Sequence, residues 1–130
     1  MKLLLTISAV LLLLTGCGAE DAPAYRQVSS DEAAAMMASE SDYLILDVRT
    51  REEYEQSHIP GAVCVPNESI GSGELSALPR KDQLILVYCR SGNRSKQAAQ
   101  KLADAGYTNI VEFGGILSWT GETVSGSEGE

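Results

Sequence analysis

Apolar residues fall along this chain in short runs separated by polar segments with helical character. Tyr43 to Val48 (YLILDV) and Leu84 to Tyr88 (LILVY) are continuous apolar stretches of strand length, rich in branched side chains. Shorter runs at Tyr25–Val28, Ala62–Val65 and Ile110–Phe113 predict further strands. Between them lie helix signals. Ser29-x-x-Glu32 is a capping-box pattern ahead of an Ala/Met-rich segment, and Thr50-x-x-Glu53 opens a short helix through about Gln56. From Ser95 to Ala105, Ala98, Ala99, Leu102 and Ala103 share one side of a helix, and Gly106 marks its stop. Ile59-Pro60-Gly61-Ala62 is a turn, as is Gly114-Gly115, which leads into Ile116–Trp119. Unbroken apolar strands alternating with helices predict an α/β fold, a parallel sheet with helices on both faces.

The first residues follow a different rule. Lys2 precedes an apolar run from Leu3 to Leu14 that has no polar face. It is short of the roughly 20 residues a membrane-spanning helix needs. It suits the apolar region of a signal peptide, residues 1–16. The run closes on Leu14-Thr15-Gly16-Cys17, which resembles a bacterial lipobox. That resemblance implies lipidation of Cys17 after cleavage, export, and a membrane anchor of several acyl chains. Residues 17–24 then form a tether, 25–120 the folded domain, and 121–130 a small, acidic tail expected to fray.

A net charge of −8 and the lack of a basic stripe exclude general nucleic-acid binding. Three cysteines, Cys17, Cys64 and Cys89, fit neither zinc spacing nor a disulfide scaffold, and a single histidine, His58, makes no metal site. No metal and no organic cofactor are expected.

Chemistry concentrates in Cys89-Arg90-Ser91-Gly92-Asn93-Arg94-Ser95, between the most apolar strand and the following helix. Ligands of open α/β sheets bind beyond the carboxyl ends of strands. The Cys89 sulfur there faces a helix N-terminus, whose free N–H groups and dipole favour an anion. Gly92 and Asn93 allow the backbone angles of an anion nest, and Arg90 and Arg94 add positive charge. All these terms favour the thiolate, the nucleophilic form. Asp47 and Arg49 follow a strand and are expected to tie loops together; His58 is expected to hold the adjacent turn; Cys64 and Trp119 are expected in the core. A Cys64–Cys89 disulfide would need a close approach that the sequence does not specify.

The loop CRSGNRS resembles the active-site loop of single-domain rhodaneses. In the family's order come Asp47-Val48-Arg49 with Glu52, Glu53 and Tyr54, then His58-Ile59-Pro60-Gly61-Ala62, then Tyr107, Val111 to Gly115 and Trp119. The resemblance runs from about Tyr25 to Trp119. It implies a parallel α/β fold and a sulfurtransferase in which Cys89 carries a persulfide. The donor would be thiosulfate or a related sulfane compound, and the acceptor cyanide, a thiol or a protein. The loop residues 90–95 would hold the sulfur substrate. Two other functions stay open: a low-turnover persulfide carrier or redox sensor, and a phosphatase or arsenate reductase of the same fold. The latter use a cysteine, five residues and an arginine, whereas Arg94 follows Cys89 after four.

Overall fold

The computed structural model describes residues 24–71 and 75–127. The signal peptide, Cys17 and nearly all of the tether lie outside the described residues. Five strands form one wholly parallel sheet: β1 (Arg26–Gln27), β2 (Tyr43–Asp47), β3 (Val63–Cys64), β4 (Leu84–Cys89) and β5 (Ile110–Gly115), in the order β1-β5-β4-β2-β3. The helices are α1 (Ser30–Ser39), α2 (Arg51–Gln56) and α3 (Asn93–Asp104), with short 3₁₀ turns at Asn67–Ser69 and Ile116–Ser118.

The pleat sends alternate residues to two cores. Leu46, Val48, Ile85, Val87 and Cys89 meet Ala98, Ala99 and Leu102 of α3. Ile45, Leu86, Tyr88, Val111 and Phe113 meet Ala33 of α1 and Tyr54 of α2 on the other face. Helices therefore cover both faces, as the apolar runs required. β4 is buried along its whole length, because it is the central strand between two layers.

The capping residues act in part as expected, with the reciprocal box formed only at Thr50. Ser29 Oγ accepts from Glu32 N, and Thr50 and Glu53 complete a reciprocal capping box. The helix expected from Ser95 starts two residues earlier, at Asn93, with Gly92 as its cap. The chain does not leave the domain at residue 120. His58 and Val124 pair in an antiparallel bridge, each N–H donating to the other's carbonyl at 2.8 Å, and Gly126 N donates to Glu55 O. Backbone pairing thus holds residues 124–126, the middle of the segment that composition alone marked as a frayed tail.

Candidate functional site

The site begins where β4 ends. The ladder between β4 and β5 shifts register between Val87 and Cys89, so that Val87 pairs with Glu112 but Cys89 with Gly115. The extra residue is on β5, where Phe113 and Gly114 together oppose Tyr88, and β4 ends at Cys89, from which the chain enters the loop before α3. Gly92 turns it with φ +114°, a left-handed conformation that side chains rarely adopt, and α3 follows at once. Cys89 Sγ accepts a hydrogen bond from Gly92 N at 3.0 Å and is 1% exposed. Burial pushes its thiol up, but hydrogen bonds from the Ser95 hydroxyl and from the amides of Ser95, Gly92 and Ser91 outweigh it and leave the thiol below its ordinary value. The loop thus offers an anion nest at a helix N-terminus.

The candidate residues divide by environment. Arg90, Ser91 and Asn93 are exposed on the outer side of the loop, while Gly92 and Ser95 are buried. Arg94 does not stand free for an anion. Its guanidinium makes a two-pronged pair with Glu53, Nη1 to Oε1 at 2.6 Å and Nη2 to Oε2 at 3.0 Å. This ties the cysteine loop to the first turn of α2. The Arg94 hydrogen bond, with lesser help from Thr50, holds the Glu53 carboxyl down at about 2 against 4.5 in its ordinary state, even though partial burial opposes this. A depressed carboxyl stabilises the fold above its unfolded value and loses that contribution as pH falls from 4.5 towards 2. Glu53→Gln is therefore expected to lower the urea midpoint at pH 7, with the gap from wild type closing by about pH 2. A gap that persists unchanged at pH 2 would show that packing, not charge, is lost.

Asp47 and Arg49 form a buried support beside the loop. Arg49 Nε and Nη2 donate to the Asp47 carboxylate, and Nη2 also donates to Ser57 O at 2.6 Å. Tyr88 Oη donates to Asp47 Oδ2 at 2.6 Å and accepts from Ile59 N at 3.1 Å. With its charges paired and its lone pairs used, the cluster bridges β2, β4 and the turn after α2. Burial and the Asp47 charge push the Tyr88 phenol far up, so it remains a donor. His58 is fully buried. Its Nδ1 donates to Tyr54 O at 2.7 Å, and its ring stacks on the Tyr54 ring with centroids 3.7 Å apart. It holds the turn and lies within the support rather than at the sulfur.

Cys64 is buried in β3, and burial pushes its thiol up. Its register partner is Asp47, whose own partner is Tyr88, so Cys64 shares the α1/α2 face of the sheet. Cys89 lies on the α3 face. The pleat keeps the two thiols on opposite sides, and both are free. Trp119 packs on Phe113 and donates from Nε1 to Glu122 O.

Three parts of the site escaped sequence reading: Glu53 as the Arg94 partner, Glu112, and Gly115. Glu112 is 2% exposed; its Oε1 accepts from Ser95 Oγ at 2.6 Å and from Gly114 N at 2.8 Å. A charged residue within the apolar Ile110–Phe113 run was the available signal. Gly115 touches the Arg90 carbonyl so closely that no side chain fits.

The described residues thus form a wholly parallel α/β domain whose Cys89 ends the central strand, with its sulfur held by the amide of Gly92 at the start of α3. The rhodanese-like domain family matches residues 29–122, and the chain belongs to that family. It is 37% identical over 71 residues to the thiosulfate sulfurtransferase PspE of Escherichia coli (strain K12), covering 55% of this chain and 68% of that protein. It is 36% identical over 94 residues to a sulfurtransferase of Allochromatium vinosum, covering 72% of this chain and 86% of that one. Among solved structures, a rhodanese with anions from E. coli superposes with a TM-score of 0.60 at 33% identity, over 65% of this chain and 99% of that chain. Some relatives are much longer: the match covers 21% of the adenylyltransferase and sulfurtransferase UBA4 of Meyerozyma guilliermondii. Family and relatives together support sulfur transfer in general.

Proposed function

We propose that the protein moves sulfane sulfur from thiosulfate or a related donor to a thiophilic acceptor through a persulfide on Cys89. The observation that carries this reading is the Cys89 sulfur at the N-terminus of α3, with Gly92 N donating to it at 3.0 Å. The thiolate attacks the outer sulfur of thiosulfate. A new S–S bond forms, the S–S bond of thiosulfate breaks, and sulfite leaves with the electron pair. The loop amides then hold the terminal sulfur of the persulfide anion, as they hold the thiolate before it. Cyanide or a thiol attacks that outer sulfur, and the Cys89 thiolate returns as leaving group. The exposed loop residues Arg90, Ser91 and Asn93 line the approach of donor and acceptor.

Engagement of Arg94 by Glu53 argues against a phosphatase or arsenate reductase, because a tetrahedral oxyanion would need that guanidinium. The near-complete burial of Cys89 also suits slow turnover, in which the domain carries persulfide for a protein partner. Incubation with thiosulfate followed by intact mass tests the proposal. A gain of one sulfur, lost on adding cyanide, is expected. No gain from thiosulfate or from other sulfane donors, on reduced protein, would overturn it. A persulfide that forms but leaves cyanide untouched, and passes only to a protein thiol, would select the carrier reading.

We also propose that the protein is exported and tethered to a membrane through acylated Cys17. The support is the apolar run Leu3–Leu14 ending on Leu14-Thr15-Gly16-Cys17. Cys17→Ala is expected to move the protein from the membrane to the soluble fraction without loss of sulfur transfer. Retention of the variant in the membrane fraction would count against lipidation at this residue.

A further inference from the structure

Leu117 is the most exposed large apolar side chain among the described residues, with 66% of its surface open. A lone exposed leucine needs no explanation by itself, but this one stands beside the cysteine loop. Cys89 pairs in register with Gly115, and Leu117 follows shortly after, in the 3₁₀ turn Ile116–Ser118. Its amide donates to the carbonyl of Arg90, the residue after Cys89, at 3.2 Å.

The turn fixes Leu117 in place. Ile116 packs into the core on the α1/α2 face, Ser118 Oγ donates to Gly115 O at 3.1 Å, and Trp119 N donates to Ile116 O at 3.2 Å. In the adjoining loop Arg90 and Ser91 are exposed, and among the described residues Arg90 forms no ion pair. The rim of the site therefore has a cationic part and an apolar part. Cys89 is 1% exposed, so a reactant reaches its sulfur only across this rim. Thiosulfate and cyanide carry no apolar group that could cover the leucine.

We propose that Leu117 is a specificity-determining residue that selects, as sulfur acceptor, an organic thiol with an apolar group beside its sulfur. The inference rests on the persulfide reading above and names the acceptor of that same site. The acceptor's sulfur attacks the outer sulfur of the Cys89 persulfide anion. A new S–S bond forms, the bond from that sulfur to Cys89 breaks, and Cys89 leaves as thiolate. The acceptor's proton stays with the transferred sulfur, so the product is the acceptor's own persulfide. Contact with Leu117 takes apolar surface of both partners out of water, a gain that cyanide cannot make. Such a thiol is either a small molecule or a cysteine set beside apolar residues in a protein.

The test loads Cys89 of the full chain with sulfur from thiosulfate and follows its discharge by intact mass. The acceptors are 2-mercaptoethanol, benzyl mercaptan and a cysteine peptide flanked by leucines, compared at equal thiolate concentration, with cyanide beside them. Benzyl mercaptan or the peptide is expected to react faster than 2-mercaptoethanol. Leu117→Ser is expected to cut that preference by at least about fivefold, and Leu117→Met to keep it. The side chain is exposed, so the exchange leaves the core intact. A preference for the peptide, lost in Leu117→Ser, supports the proposal with the acceptor on a protein; one for benzyl mercaptan supports it with a small thiol. A preference unchanged in Leu117→Ser would overturn it. So would an equal loss with every thiol and with cyanide, which marks a disturbed loop. If no persulfide forms, the persulfide reading falls and this inference with it; a persulfide that forms and discharges without regard to Leu117 sinks the inference alone.

Discussion

Cys89→Ser is expected to reduce sulfur transfer to background, a loss of at least about a thousandfold, while leaving the fold intact. A serine hydroxyl does not ionise in the pH range where a loop of amides stabilises a thiolate, and it forms no persulfide. The structural cost is small. The side chain is 1% exposed and fills nearly the same space, and the hydroxyl oxygen can still accept from Gly92 N. Keeping that acceptor avoids an orphaned buried N–H, so the loss of stability should stay within about 1–2 kcal/mol. Steady-state transfer from thiosulfate to cyanide, beside a urea unfolding curve, checks both halves. Residual turnover near that of wild type would move the nucleophile elsewhere.

Gly115→Ala is expected to damage the same site through the backbone. A Cβ built at Gly115 lies 2.5 Å from Ser91 N and closer still to the Arg90 carbonyl. The backbone of β5 and that of the cysteine loop pass in direct contact, with Leu117 N donating to Arg90 O beyond the crossing. No flexible side-chain end is available to yield, so the methyl group must displace either β5 or the segment carrying Cys89 and its donors. Overpacking of this kind costs about 1–3 kcal/mol or more, and a shift of about 1 Å at a reacting group can cost about a hundredfold in rate. The variant should therefore lose at least tenfold in turnover even in its folded fraction. A lowered unfolding midpoint should accompany this loss. Full activity per folded molecule would mean that the loop tolerates displacement and that its geometry does not set the rate.

Much of the architecture was legible along the chain because its causes are local. Unbroken runs such as Leu84–Tyr88 can be satisfied only between two covered faces, which forces a parallel sheet and helices on either side. Thr50 and Glu53 cap α2 through atoms three residues apart. The Cys89–Ser95 segment could be placed at a strand end, a glycine and a helix start in succession.

What the sequence by itself determined, then, is the layered parallel α/β architecture and the strand-to-helix loop that carries Cys89, both dictated by propensity and spacing within short windows. Tertiary structure alone decided which partner each charge would find. Arg94 reads as a free cation in the chain, but Glu53, 41 residues away, neutralises it. Glu112 reads as one polar residue in a strand, but its register with Val87 puts it on the α3 face, where it accepts from the Ser95 hydroxyl. Cys64 and Cys89 read as a possible pair, but registers with Asp47 and Tyr88 put them on opposite faces. The acidic tail reads as frayed, but Val124 finds a backbone partner at His58. Each of these outcomes depends on pairing between distant segments, and in a parallel sheet such pairing is set by long-range packing of both faces at once.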